Sequence, residues 1–251
     1  QDDVPRRAAA RDELTRRDLE RFLEVRAAAR HEPADQLERY LAWTRSTQLP
    51  VPPDLKRALA VWQWSKKPFA GSHDPKNLDP HTLVRTVGSS MFYVHDVSAA
   101  IDLAAEVSRP TQQSPIVLDL CRAWGAIWVD ALNGATKEAL IGFSGAAAQR
   151  LKQRALKPQV KAFVDRQNVA IERPDDALGV SYRALESFAR TSTFKDAVLR
   201  SIAQVPGKAT AAALCGALAG AHYGIEAIPS EWRTQLPEEQ ALRSLARQFA
   251  T

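Results

Sequence analysis

Sulfur is nearly absent from this chain: two cysteines, Cys121 and Cys215, and one methionine in 251 residues. Two cysteines exclude a disulfide-dense scaffold and a structural zinc site. Both lie in apolar stretches, which predicts buried free thiols, a reducing compartment and a cytoplasmic protein. Glycine is sparse, at 11 residues, and runs of β-branched residues are few, which argues against a β-rich fold. No apolar run approaches the roughly 20 residues that a bilayer-spanning helix needs, and no secretory leader is read, so no membrane partner is expected. Neither sign of charge dominates: the formal net charge is +5, with Lys and Arg interspersed among Asp and Glu. That pattern predicts a mixed-charge solvated surface rather than a nucleic-acid interface. Only Ser65-Lys66-Lys67 and Gln149 to Lys161 approach basic patches. There is no internal repeat and no low-complexity tract.

What is abundant is alanine and arginine, with 45% apolar residues overall, the composition of an all-α protein. The length fits one domain over residues 12–251, after a polar segment, 1–11, expected to fray. Thr15 caps a first helix carrying Leu19, Phe22 and Leu23, and Pro33 sets off a second, Asp35 to Thr47. Leu55, Ala58, Leu59 and Trp62 repeat at helical spacing, with Val61 and Trp64 beside them. The two tryptophans either anchor the following Pro68–Pro80 loop in the core or stack on a base or sugar. His95-Asp96 reads as a surface and capping pair ahead of a helix, Val97 to Val107, rather than as a metal or base site.

Ser114 to Leu132 is strongly apolar and reads as a core helix, capped by Asn133-Gly134. Glu138 to Lys157 is helical with an interruption at Gly142 to Gly145. Pro237-Glu238-Glu239 opens a closing helix through Leu242, Leu245 and Phe249.

The stretch Thr210 to Ala221 is almost entirely Ala, Gly, Leu and Cys. A helix with small side chains on every face has no polar side for solvent and is expected to be central and buried. Gly216 and Gly220 each weaken it by about 1 kcal/mol relative to Ala, and suggest close backbone approach. Thr210 to Trp232 resembles the C-terminal signature of the ADP-ribosylglycohydrolase family. The resemblance spans roughly residues 12–235 and implies a compact all-α, many-helix bundle around this central Ala/Gly-rich helix. It also implies a hydrolase that removes ADP-ribose from proteins with two bound magnesium ions.

The family signature opens with Asp-x-Asp-Thr-Thr, whose aspartates and first threonine serve the metals. In this chain that frame reads Gly207-Lys208-Ala209-Thr210-Ala211. Leu37, Tyr40, Leu41 and Trp43 resemble a segment that follows the family's first metal motif, Thr-Asp-Asp-Thr. Counting back without a gap places that motif on Asp12-Glu13-Leu14-Thr15; the rival, Gln1-Asp2-Asp3-Val4, needs an insertion of about ten residues. The former metal positions are therefore Glu13, Leu14, Gly207, Ala209 and Thr210. Two Mg²⁺ ions need several hard oxygen ligands, mainly carboxylates, and this set supplies one carboxylate and one hydroxyl. No metal cofactor is expected.

Thr86-Val87-Gly88-Ser89-Ser90-Met91-Phe92 resembles the family's Gly-Asn-Gly-Ser-x-Met-Arg loop against ADP-ribose. Gly88, Ser89 and Ser90 are thus candidate phosphate contacts through backbone N–H groups, alongside Lys208 and Thr210. Where the family has Thr-His, this chain has Thr111-Gln112. Gly179 and Glu186 match another family segment, and Glu186 is read as solvent-facing. The resemblance therefore implies a catalytically degenerate member that binds ADP-ribose, an ADP-ribosylated protein or a protein partner through the former cleft. Two alternatives stand beside it. One is an active hydrolase with a rearranged site using Asp12, Glu13, His95 or Glu186. The other is a ligand-free interaction protein, such as a bacterial effector, docking through Arg6 to Arg30.

Overall fold

The computed structural model describes residues 31–47, 50–168, 171–204, 209–236 and 239–249. Among these the architecture is all helical, with one isolated bridge, Ser72 to Gln112, and no strand. The predicted fraying of 1–11 and the helix around Leu19 lie outside the described residues.

α1 (Pro33–Ser46) and α2 (Pro53–Ser65) each begin with proline in the first turn, where its missing N–H costs nothing. Their apolar faces, Leu37, Tyr40 and Trp43 against Leu55, Leu59 and Trp62, close a small cluster with Ala70. The two tryptophans that the spacing left paired separate here. Trp62 is 8% exposed and belongs to this cluster, whereas Trp64 is 88% exposed.

α3 (His81–Arg85) and α4 (Val87–Phe92) follow with a break at Thr86. Next comes α5 (Val97–Glu106), where Asp96 is the N-cap and its carboxylate accepts the Ala99 N–H at 3.0 Å.

The main core is built on α6 (Pro115–Leu132), which buries Val117, Leu120, Cys121, Trp124, Ile127 and Trp128. Trp124 stacks near Trp128, with centroids 5.5 Å apart, and donates its indole N–H to Ser181 Oγ at 2.9 Å. The expected start and end of this helix hold, and Gly134 at φ +78° closes it as predicted. α7 (Lys137–Ile141) and α8 (Ala146–Lys152) are separated at the predicted glycine interruption. The second ends at Lys152 rather than Lys157, and the Lys157 N–H is turned onto Asp119 Oδ2 at 2.8 Å. α9 (Pro158–Val164) returns the chain to the core.

α10 (Ala177–Ala189), α11 (Phe194–Gln204) and α12 (Ala209–Tyr223) pack against one another, and α12 also meets α6 and α3. α12 is the Ala/Gly helix. One side, including Thr210, Ala211, Leu214, Cys215 and Leu218, is buried, while Gly216, Ala217, Gly220 and Ala221 are half-buried. α13 (Ser230–Arg233) and α14 (Glu239–Phe249) end the described chain.

Both cysteines are buried and free, and burial pushes each thiol up to about 12. Among the described residues no helix is long and apolar enough to cross a membrane.

Candidate functional site

The signature helix α12 opens at Ala209, and Thr210 at its second position is 1% exposed. The other former metal positions, Glu13, Leu14 and Gly207, lie outside the described residues, as do Lys208, Asp12 and the Asp2-Asp3 alternative. An alanine methyl and one threonine hydroxyl give a single oxygen donor between them. Among the described residues no group of three or more His, Cys, Asp or Glu side chains converges to hold an ion. Ala209 and Thr210 alone do not make the cage of carboxylate oxygens that a binuclear magnesium centre needs.

Gly88, Ser89 and Ser90, the candidate phosphate contacts, are helical rather than a turn. They lie inside α4, and Ser89 and Ser90 are fully buried. The physical reason is close packing of α4 on α6, where a Cβ added at Gly125 would sit 3.5 Å from Ser90 Oγ. Ser89 Oγ donates to the Thr86 carbonyl at 2.6 Å, and Ser90 Oγ reaches the same oxygen at 3.4 Å. Hydroxyls that bond a carbonyl one turn back stabilise a helix break locally.

Beneath this break runs a buried polar seam that the periodicity of the sequence does not announce. Arg85 is 4% exposed; its guanidinium donates to Thr111 Oγ1 at 2.5 Å and lies over the Tyr40 ring at 5.4 Å. Gln112, at the position of the family's histidine, holds the loop together. Its amide donates to Asp54 Oδ2 at 3.2 Å, and its carbonyl oxygen accepts the Ser114 N–H at 2.8 Å. Asn77 Nδ2 donates to the same Asp54 oxygen at 2.9 Å. Nearby, burial pushes the Asp79 carboxyl up, but hydrogen bonds and charge from His81, with the charge of Arg85, outweigh it and hold the group below its usual value.

A cleft of about 490 Å³ opens between the 75–78 loop and the N-terminal ends of α6 and α10. Leu78, Ile116, Ile171, Leu178 and the Tyr182 ring form apolar walls, and the charged lining is mixed, with Lys76 and Arg173 beside Glu172 and Asp176. Asp176 caps α10 by accepting the Gly179 N–H at 2.8 Å, and burial pushes its carboxyl up against that bond. The Tyr182 hydroxyl is buried with no hydrogen-bond partner among the described residues, and burial raises the phenol while the Arg166 charge pulls it down. Gly179 is required here: a Cβ would meet the Arg173 carbonyl oxygen at 2.3 Å and the Pro174 backbone at 2.7 Å.

None of the described sequence candidates, Gly88, Ser89, Ser90, His95, Glu186 and Thr210, lines this cleft. His95 is exposed ahead of α5. Glu186 is held by Arg190 at 2.7 Å on the surface of α10, in line with its solvent-facing reading.

The ADP-ribosylglycohydrolase family model matches residues 14–251 of the chain. Among characterised proteins, the chain is 24% identical over 194 residues to the ADP-ribosylarginine hydrolase Tri1 of Pseudomonas putida (strain GB-1). That match covers 77% of this chain and 52% of the relative, so the chain spans about half the relative's length. Among solved structures, it is similar to one described as an ADP-ribosylglycohydrolase-related protein complex. The TM-score is 0.75 and the identity 26%, over 99% of this chain and 80% of the other.

Proposed function

The chain belongs to the ADP-ribosylglycohydrolase family, and from that premise we propose that it binds ADP-ribose, free or on a modified protein, without hydrolysing it. One observation carries this reading. The register from Thr210 to Trp232 is gapless, and it places Gly207 and Ala209 where the family has its two metal-binding aspartates. Two magnesium ions cannot be held by a glycine and an alanine, and without them neither the ribose nor a water is activated.

Binding does not need those ions. The cleft offers apolar walls to a base, and its cations Lys76 and Arg173, set among the carboxylates of Glu172 and Asp176, are the groups that would meet a diphosphate. In sequence, Lys208 stands between Gly207 and Ala209, the two positions at which the family signature has its aspartates. The relative named for ADP-ribosylarginine makes arginine-linked ADP-ribose the first ligand to try.

The test is a release assay. The full chain is incubated with an ADP-ribosylarginine protein and excess Mg²⁺, and free ADP-ribose is measured. The expected result is release at the uncatalysed rate. Magnesium-dependent turnover would overturn the reading and return ligand carboxylates to the site.

A further inference from the structure

The segment between Asp54 and Asp74 contains no acid at all and carries Lys56, Arg57, Lys66 and Lys67. The proposed ADP-ribose site uses none of these residues. The structure divides the segment's aromatics sharply. Trp62 faces the core, while Trp64 stands 88% exposed, with Val61, one turn earlier on α2, 42% exposed. Five residues beyond Trp64, Phe69 is 37% exposed, with the Arg109 guanidinium stacked at 3.9 Å on its ring. Gln113 fixes this stretch in place by donating its amide N–H groups to the carbonyls of Phe69 and Gly71, at 3.0 and 3.1 Å. Arg109 is paired with Glu106 at 2.8 Å, and the groove of about 460 Å³ that both line is mixed in charge, with Arg122 paired to Asp119 and Lys157 beside them.

A tryptophan left in water on an ordered helix forgoes the stabilisation its burial would give, and exposed aromatics beside cations have the composition of a contact surface. We propose that Trp64 and Phe69, flanked by the cations Lys66 and Lys67, form a docking surface for an acidic protein segment carrying an apolar side chain. Charge complementarity decides the occupant. A second copy of the chain would bring this cationic face against itself, which is repulsive. The apolar part is also small, which suits one inserted side chain rather than a bilayer.

The experiment selects random displayed peptides on the immobilised full-length chain, then measures the best binder, labelled, by fluorescence anisotropy. The selected peptides should be rich in Asp and Glu around an aliphatic or aromatic residue. Trp64→Ala should weaken binding at least ~10-fold, and Lys66→Glu with Lys67→Glu should weaken it further. Raising salt from about 50 to about 300 mM should weaken the wild-type complex. All three residues are exposed, so unchanged thermal unfolding certifies the variants. Peptides without acidic enrichment, or an affinity indifferent to Trp64→Ala, would overturn the proposal. So would tighter binding of phosphatidylserine vesicles or single-stranded DNA with the same residue dependence. Because peptide binding is read without ADP-ribose, its failure is separate from failure of the ligand reading.

Discussion

Asp130 holds the start of a helix it does not belong to. From α6 its two carboxylate oxygens accept the N–H groups of Ala147 at 2.8 Å and Ala148 at 3.0 Å, the unpaired donors of α8. Gly145 makes room for it, since a Cβ there would stand 2.3 Å from the carboxylate. Gly145→Ala should therefore cost about 1–3 kcal/mol in a denaturant titration, through loss of these buried bonds. Burial raises the Asp130 carboxyl above 3.8, and the two backbone bonds only partly oppose it. Ionisation is thus disfavoured in the folded state, a penalty complete above the folded pKa and absent below the unfolded one. Relative to Asp130→Asn, the wild type should gain stability as pH falls from neutral toward 4. A flat difference would contradict the shift. The sequence gives no sign of this cap, because donor and acceptor are 17 residues apart and no local spacing rule connects them. The same limit applies to Ser89 and Ser90, where a family-like Gly-Ser pair is absorbed into helix packing.

At the level of the element, helical spacing of apolar residues located α2 and α6, and the run of small residues from Thr210 to Ala221 located α12, close to the observed bounds. It misplaced the tight contacts. Gly216 and Gly220 suggested close backbone approach, yet a Cβ at Gly216 would meet only Val198 Cγ2 at 3.5 Å, and one at Gly220 only Phe194 Cε2 at 3.8 Å. These are ordinary contacts. The real close approaches are at Gly179 and at Gly71, where the would-be Cβ lies 2.3 Å from Gln112 N. Gly216→Ala should accordingly be neutral or stabilise by up to about 1 kcal/mol, the helix propensity difference. Gly179→Ala should destabilise by about 2 kcal/mol or more, since backbone must move. Thermal unfolding of the two variants side by side checks this, and the opposite order would show that the α12 packing is misread. Glycine in a sequence signals permission for close approach; which neighbour takes it up is a tertiary fact.

At the level of the whole molecule, composition already pointed to an all-α chain, and Thr210 to Trp232 carried enough of the family signature to set the register of α12. The apolar core around α6 was legible for the same reason: its residues are apolar on nearly every face. The polar seam of Arg85, Asp54 and Gln112 was not legible, because buried polar residues are defined by partners far along the chain, Gln112 and Asp54 being 58 positions apart. The cleft beside Tyr182 was hidden similarly, since its walls come from four separate stretches. Whether this chain binds ADP-ribose without metal is read by isothermal titration of the full chain with ADP-ribose, with and without excess Mg²⁺. Saturable binding with the same Kd in both conditions is expected; binding that appears only with Mg²⁺, or no binding at all, would overturn the proposed function.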